Sequence, residues 1–211
     1  MKHTKSRANT TRKAKCKPVF SDQDFLSGDG FLTTVWGPPM WHYLHTMSFN
    51  YPVHPTAADK RNYSAFIIGL QHVLPCKYCR VNLKINFKNH PLRACHLANR
   101  DAFSRYVYEL HEIVNKLLGK MSGLSYCDVR ERYEHFRARC TDDPNPRMAK
   151  THRMAKPNPK NKTTKKKEKG CTEPLYGKYS KCVLKIVPQD AVAESLSIDK
   201  QCIKRKGVRP V

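Results

Sequence analysis

Between about Phe20 and Cys140, apolar residues recur at the three- and four-residue spacing of helices that are buried on one face. The pattern predicts four helices with short connections, and a short fifth helix after Cys127. Strand signals are poor here, so we expect an all-α four-helix bundle. The predicted apolar positions are Met40, Trp41, Leu44 and Met47 in the first helix; Tyr63, Phe66, Ile67, Leu70, Val73 and Leu74 in the second; Val81, Leu83, Ile85 and Phe87 in the third; and Phe103, Val107, Leu110, Val114 and Leu117 in the fourth.

Several residues mark where these helices begin and end. Pro38 and Pro39 suit a first helical turn, where the missing N–H groups cost nothing. Thr56, followed by Asp59, predicts a capped start for the second helix, and Pro75 predicts its end. The other predicted boundaries are Tyr51-Pro52 for the end of the first helix, Cys76 and residues 89–91 for the third, and Asn99 or Asp101 and Gly119 for the fourth.

The charge is uneven along the chain. Forty Lys and Arg residues against seventeen Asp and Glu give a formal net charge of +23, and much of the excess lies in residues 1–20 and 147–169. We therefore divide the chain into a basic disordered arm (1–20), a folded domain (21–140), a basic linker (141–170) and a cysteine-containing tail of unknown structure (171–211). The basic segments are either solvated arms or non-specific contacts for nucleic acid.

Cysteine content and hydropathy narrow the class of protein. Nine cysteines are unusual for a reduced cytosolic protein unless the thiols bind metal or take part in exchange. No apolar run is long enough to span a membrane, and charged residues stand where a secretory signal has its apolar core. We therefore expect no contact with a membrane.

The Cys76-x-x-Cys79 pair is the main candidate for chemistry. A cysteine at a helix start lies at the positive end of the helix dipole, which lowers the thiol pKa, and Lys77 acts in the same direction. The pair supports two hypotheses, a redox disulfide or half of a zinc site. In the second hypothesis Cys76, Cys79, His90 and Cys95 hold zinc in a basic nucleic-acid-binding protein.

Two other helices carry polar and aromatic residues beside their apolar faces. His111 and Asn115 lie four residues apart on the fourth helix, flanked by Tyr108 and Lys116. Trp41, His45 and Ser48 share one face of the first helix. The two rows predict a flat, partly polar ligand held between these helices.

These features occur in an order that resembles the Erv/ALR family of FAD-linked sulfhydryl oxidases, most closely the versions encoded by large DNA viruses. The resemblance runs from Trp36 to Lys120 and, more loosely, to Cys140. The motifs that carry it are Trp36-Gly37-Pro38-Pro39, Gly37-x-x-x-Trp41-x-x-Leu44-His45, Tyr51-Pro52, Pro75-Cys76-x-x-Cys79, Asn89-His90-Pro91 and His111-x-x-Val114-Asn115-x-x-Leu118-Gly119-Lys120.

The resemblance implies a four-helix bundle that holds FAD at its mouth, usually as a homodimer. It assigns Cys76 the exchange with thiol-containing protein substrates and Cys79 the transfer of electrons to the flavin, with dioxygen as acceptor and hydrogen peroxide as product. Arg132 and Tyr133 correspond to residues near the adenine. The remaining positions expected at the cofactor are Gly37, Trp41, His45, Tyr51, Asn82, Tyr108, His111, Val114, Asn115, Lys116 and Lys120.

The chain departs from the family pattern in its other cysteines. Many members tie the fourth helix to the following loop with a disulfide, but Tyr108 stands at one end of that bridge. We expect the bridge to be absent, or Cys127 to pair elsewhere, for example with Cys95. There is no second Cys-x-x-Cys for a shuttle. We expect Cys16 or Cys140 to be structural or intersubunit, and substrates to reach Cys76 without help from the tail cysteines, Cys171, Cys182 and Cys202.

The virus-like motifs and the lack of a signal favour host cytoplasm, at an assembly site, or the virion as the location. The mitochondrial intermembrane space is the alternative.

Overall fold

The computed structural model describes residues 20–139, 171, 173–175, 178–194 and 196–203. Residues 20–139 contain the α-helices α1 (Asp22–Leu26), α2 (Thr33–Phe49), α3 (Ala57–Val73), α4 (Lys77–Asn89), α5 (Arg100–Leu117) and α6 (Tyr126–Glu134), and a 3-10 turn at Ala94–Leu97. Two short strands, β1 (Ala138–Arg139) and β2 (Glu173–Pro174), pair antiparallel. The all-α prediction is confirmed: α2 to α5 are the four predicted helices and α6 is the fifth. The short α1 was not predicted.

The capping residues act as their sequence predicts. Thr56 Oγ1 accepts the Asp59 N–H at 3.1 Å, while the Asp59 carboxylate accepts the Thr56 N–H at 2.8 Å. Asn99, rather than Asp101, caps α5, because its Oδ1 accepts the Ala102 N–H at 2.9 Å. Gly119 follows α5 with a φ of +65°, the left-handed conformation that favours glycine. The predicted starts of α3 and α5 are confirmed.

The predicted start of α2 was wrong. The helix begins at Thr33, so Pro38 and Pro39 lie inside it rather than in its first turn. The helix start is held by bonds that precede the prolines, because the N–H groups of Val35 and Trp36 both donate to the Leu32 carbonyl at 3.1 and 3.4 Å. The indole N–H of Trp36 adds a bond of 3.1 Å to the Phe31 carbonyl.

The main core lies where α2 packs against α5 and α3 packs against α4. Its buried members are Leu44, Tyr51, Ile67, Leu70, Leu83, Leu97, Phe103, Tyr106, Val107 and Leu110. A smaller aromatic cluster of Phe49, Tyr126, Val129 and Tyr133 fixes α6 against α2 and α5. Both clusters reach predicted ring residues, because Trp41 of α2 packs on the first cluster and Tyr133 of α6 belongs to the second.

Several predicted core positions are exposed. On α4, Val81 and Ile85 are half exposed, whereas Leu83 and Asn86 are buried. The four apolar residues predicted there alternate at a spacing of two, which cannot occupy one face of a helix of 3.6 residues per turn. Phe66, Val73 and Leu117 also lie on the surface.

The predicted domain boundaries remain predictions, because residues 1–19 and 140–170, including Cys16 and Cys140, lie outside the described residues. Part of the tail contacts the folded region: the Leu175 N–H donates to the Arg137 carbonyl at 2.8 Å, next to the β1–β2 pair. None of the helices in the described ranges is both long and apolar enough to cross a membrane.

Candidate active site

Cys76 and Cys79 form a disulfide at the start of α4, with a Cα–Cα distance of 5.2 Å. Cys76 is the N-cap residue, and its Sγ accepts the Cys79 N–H at 3.1 Å. Both residues are half-buried. When the pair is reduced, this backbone donor and the positive end of the helix dipole favour the thiolate of Cys76. Of the two hypotheses, the disulfide favours a redox pair over half of a zinc site.

The zinc hypothesis is not supported. Cys76 and Cys79 are bonded to each other, and His90 lies beside Glu109, with 3.3 Å between its Nε2 and the carboxylate. Cys95 is exposed. Within the residues described, no group of three or more His, Cys, Asp or Glu side chains is placed to hold a metal ion.

A backbone strap, residues 29–31, crosses the start of α4. Gly30 forms an antiparallel bridge with Cys76, the Phe31 N–H donates to the Pro75 carbonyl at 2.8 Å, and the Lys77 N–H donates to the Asp29 carbonyl at 3.2 Å. Gly30 has a φ of +116°, and a Cβ atom placed there would stand 2.4 Å from the Pro75 oxygen. Only glycine fits this contact. The bridge is too short to leave a pattern in the sequence, and sequence reasoning missed it.

A second contact holds the turn before Cys76. Arg80 Nη1 donates to the Leu74 carbonyl at 2.6 Å, and the Cys76 N–H donates to the same oxygen at 2.8 Å. The helix that carries the redox pair is therefore tied back to the end of α3. Arg80 was not among the predicted site residues.

Four aromatic side chains from three helices meet in a ring cluster made of Trp41, His45, His111 and Tyr133. Trp41 stacks on His111, with 4.0 Å between centroids and 7° between planes. His45 Nε2 lies 2.9 Å from His111 Nδ1, and the His45 ring lies 5.1 Å from that of Tyr133. The structure thus brings together the two rows predicted from α2 and α5, and adds α6.

His42 joins this cluster and was missed by sequence reasoning. Its ring lies 5.5 Å from that of Tyr133, and its Nδ1 lies 3.4 Å from the tyrosine hydroxyl. His42 stands three residues before His45, which is one helical turn. The three-residue spacing from His45 was the sequence signal that could have identified His42 as a member of the cluster.

The cluster keeps its two central histidines neutral. Burial, followed by the charges of His111 and His42, lowers the pKa of His45 to about 3. Burial also lowers the pKa of His111 to about 4; Glu112 opposes this shift and Lys120 adds to it. His45 Nδ1 is buried without a hydrogen-bond partner among the described residues. Such an atom is costly to leave unpaired and is suited to a bound polar group.

These histidines predict a loss of stability in mild acid. Because the folded-state pKa values lie below the ordinary value of 6.5, stability is fully present above pH 6.5. It falls at lower pH as the unfolded chain takes up protons that the folded chain excludes. Between pH 7 and pH 4.5 we expect the flavin-free protein to lose about 2 kcal/mol or more of unfolding free energy, measured by urea denaturation.

The control for this measurement is the exposed His72. We expect His45→Gln to flatten the pH dependence and His72→Gln to leave it unchanged. An equal slope in the wild type and in His45→Gln would assign the acid sensitivity to other groups.

Other predicted cofactor residues are dispersed. Tyr51 has no exposed surface; its hydroxyl donates to the Leu97 carbonyl at 3.0 Å and its ring contacts Tyr63 and Phe103, so we assign it to the core. Asn82 is exposed on α4. Asn115 Nδ2 donates to Glu112 at 2.9 Å. Val114 is half-buried next to this position, whereas Lys116, Lys120 and Arg132 are exposed. A Cβ added to Gly37, one turn before Trp41, would meet nothing within 4 Å.

Tyr108 ties α5 to the following loop without a disulfide. Its hydroxyl donates to the Leu124 carbonyl at 2.8 Å, and its ring lies against that of Tyr126. Cys127 and Cys95 are both exposed and unbonded, so the suggestion that they pair was wrong and the bridge is absent. Contact of Tyr108 with the cofactor stays a prediction.

We expect Tyr108→Phe to lower the unfolding free energy by about 1 kcal/mol, because it removes a half-buried hydrogen bond and leaves the ring in place. Tyr43→Phe, at an exposed ring on α2, is the matched control and should change it by less than about 0.5 kcal/mol. Urea denaturation of both variants checks this. Equal stability of the two variants would show that the Tyr108 hydroxyl does not support the loop.

Comparison with known proteins agrees with this geometry. The model of the Erv1 / Alr family matches residues 38–141. A protein of Acanthamoeba polyphaga mimivirus named "Probable FAD-linked sulfhydryl oxidase R368" is 32% identical over 99 residues, covering 47% of this chain and 68% of the mimivirus protein. The chain belongs to the Erv1/Alr family.

More distant Erv1/Alr proteins match as well. FAD-linked sulfhydryl oxidase ERV1 of Arabidopsis thaliana is 29% identical over 40% of this chain and 43% of its own length. The chain thus spans less than half of that plant relative. The crystal structure of the yeast Erv1 core superposes with a TM-score of 0.43 at 23% identity, covering 60% of this chain and 92% of the yeast core. That superposition is too loose to support a conclusion by itself.

Proposed function

We propose that this Erv1/Alr protein is a FAD-dependent thiol oxidase that forms disulfides in protein substrates and passes the electrons to dioxygen, giving hydrogen peroxide. The observation that carries the proposal is the Cys76–Cys79 disulfide at the start of α4 in a chain of this family. The names of the mimivirus and plant relatives, both FAD-linked sulfhydryl oxidases, support the same activity.

The residues of the ring cluster fit a flavin. A flat ring system needs apolar and aromatic walls with a few polar groups at its edge. Trp41 and His111 stack on each other with 4.0 Å between centroids, so a flavin would lie against an outer face of this stack rather than between the two rings. The buried His45 Nδ1 supplies a polar atom that has no partner among the described residues. Exposed lysines at 116 and 120 follow His111 on the same chain segment and would attract the pyrophosphate. The space at Gly37 is open for the same group.

The cysteine pair performs the exchange with substrate. A substrate thiolate attacks Cys76 Sγ; a mixed disulfide forms, the Cys76–Cys79 bond breaks, and Cys79 leaves as a thiolate. A second substrate thiolate then attacks the substrate sulfur of the mixed disulfide and releases Cys76. The substrate gains a disulfide, and the pair holds two electrons and takes up the protons that the substrate lost. FAD, when bound, would supply the redox chemistry that passes these electrons from the cysteine pair to dioxygen.

Protein substrates need access to Cys76 rather than to Cys79 in this scheme. The thiolate of Cys76 is stabilised as the N-cap of α4, where it accepts the Cys79 N–H. The assignment of Cys79 as the thiol that faces FAD follows the family pattern and belongs to the proposal.

The experiment uses the purified full chain. We expect a yellow protein with a flavin absorbance spectrum, oxygen uptake when dithiothreitol is added, one peroxide formed per dithiol oxidised, and no stoichiometric zinc. A colourless protein that consumes no oxygen after incubation with FAD would overturn the proposal.

The proposal includes a homodimer. Tyr43 on α2 and Phe66 on α3 form an exposed edge-to-face pair, with centroids 6.1 Å apart and exposures of 54% and 40%. Exposed aromatic side chains of this kind are typical of interfaces. Sedimentation of wild type and of Tyr43→Ser/Phe66→Ser tests this: the variant should be monomeric, and an unchanged mass would place any interface elsewhere.

Location and the role of the basic arms are also part of the proposal. The viral relative supports host cytoplasm at an assembly site, or the virion. A relative from Schizosaccharomyces pombe is named a mitochondrial FAD-linked sulfhydryl oxidase and supports the alternative, the mitochondrial intermembrane space. The basic arms would add non-specific binding of nucleic acid. Imaging of the tagged chain in infected or transfected cells separates these locations.

A further inference from the structure

The outer face of α4 exposes apolar side chains beside the redox pair. Tyr78, Val81 and Ile85 are 78%, 51% and 49% exposed. They stand at positions i, i+3 and i+7, so they form one row along the helix, and the row begins between the two cysteines. Neighbouring exposed apolar side chains of this kind are a candidate interaction site.

A row of lysines runs along the same helix next to the apolar row. Lys77, Lys84 and Lys88 are exposed and lie on one side of the helix, at a spacing of seven and four residues. Residues 77–89 contain four basic side chains and no acidic one. The fourth, Arg80, is committed to the Leu74 carbonyl. No carboxylate in the described part of the chain lies within ion-pair distance of the three lysines.

A second apolar surface includes the residue that precedes the redox pair. A groove of about 350 Å³ is lined by Phe31, Leu32, Val35, Trp36 and Pro75. Phe31 and Leu32 are each about three-quarters exposed. A polypeptide whose cysteine reaches Cys76 would therefore have apolar surface available both on α4 and at this groove, and positive charge on α4.

We propose that the outer face of α4 is the docking surface for substrate, and that it selects cysteine-bearing segments that are apolar and acidic. This inference rests on the thiol oxidase activity proposed above and adds its substrate class. The three lysines attract the Asp and Glu residues of a substrate segment, and the apolar row contacts the apolar residues of the same segment.

Other occupants fit the surface less well. The arms of this chain at residues 1–20 and 147–169 are strongly basic, so the lysine row would repel them. A second copy docked through the same face would place two lysine rows against each other. Charge complementarity therefore favours an acidic partner.

The test compares two short dithiol peptides on the full-length holoprotein, with oxygen consumption as the readout. Both peptides carry the same Cys-x-x-Cys and the same apolar residues; one has Asp and Glu at the flanking positions and the other has Lys. We expect kcat/KM to be about tenfold higher for the acidic peptide at low salt. The preference should shrink at about 0.5 M salt, where the screening length is shorter than the charge separations involved.

Charge reversal on α4 should remove the preference. We expect Lys84→Glu/Lys88→Glu to lower kcat/KM for the acidic peptide about tenfold through KM, with kcat unchanged. Val81→Ser/Ile85→Ser should lower kcat/KM by the same factor for both peptides. Turnover of dithiothreitol, which needs no docking, should be the same in all variants. The matched control is Lys60→Glu/Arg61→Glu, an equal charge change on exposed residues of α3 that lie roughly 20 Å along the helix from Val73.

The outcomes separate the two proposals. If the wild type oxidises dithiothreitol but treats the acidic and basic peptides equally, or if the α3 control shifts KM as much as the α4 variant, the docking surface is refuted. If the wild type does not oxidise dithiothreitol, the proposed activity itself fails, whatever the peptides show.

Discussion

Replacing either Cys76 or Cys79 with serine should lower oxygen consumption with dithiol substrates by at least about a thousandfold, because the two sulfurs act as one unit and neither can form the exchangeable disulfide alone. The measurement is oxygen uptake by the flavin-loaded variants with dithiothreitol. Cys95→Ser, at an exposed and unbonded cysteine, is the matched control and should keep wild-type turnover.

The two variants should differ in their spectra. In flavin-loaded Cys76→Ser, the remaining Cys79 thiolate should give a long-wavelength charge-transfer band with the flavin. Cys79→Ser should lack the band. Loss of the band in Cys76→Ser alone would reverse the roles proposed for the two thiols, and substantial turnover in either variant would contradict the redox mechanism.

Gly30→Val should detach the strap from the redox pair and lower the unfolding free energy by about 2–4 kcal/mol. The reason is steric, since a Cβ at this position would stand 2.4 Å from the Pro75 oxygen on a backbone with a φ of +116°. Hydrogen exchange gives the local readout. The amides of Phe31 and Lys77, which donate across the strap, should lose their protection.

Gly28 provides a matched control two residues away. A Cβ at Gly28 meets nothing within 4 Å, so Gly28→Val should change stability by less than about 0.5 kcal/mol and leave both amides protected. If Gly30→Val kept the amide protection of Phe31 and Lys77, the contact between strap and redox pair would not exist in solution. In Gly30→Val, turnover should fall together with amide protection, because the Cys76 backbone loses its bridge to residue 30.

Most helix boundaries could be predicted because short-range chemistry decides them. Thr56 with Asp59, and Asn99 before α5, satisfy N–H groups within three residues of themselves. The start of α2 could not be predicted in this way. Its first turn depends on the Leu32 carbonyl and on a Trp36 indole bonded to Phe31, and neither contact leaves a periodic pattern.

Prediction of the site succeeded where residues lie one turn apart and failed where distant segments meet. Trp41 with His45, and the position of His111 opposite them, follow from helical spacing and from the family resemblance. The approach of Gly30 to Cys76 joins residues 46 positions apart through a single bridge, so only the folded chain shows it. The exposed Val81 and Ile85 were misassigned to the core because their spacing of two residues from Leu83 places them off its buried helix face.

The hydrogen bond from Tyr108 to Leu124 bears on how such a protein could mature. The loop after α5 is held by a phenol rather than by sulfur, whereas the Cys76–Cys79 disulfide is the bond that each proposed turnover opens. Reducing conditions would therefore leave the junction between α5 and the following loop intact. That junction can form in a newly made chain without an earlier oxidase.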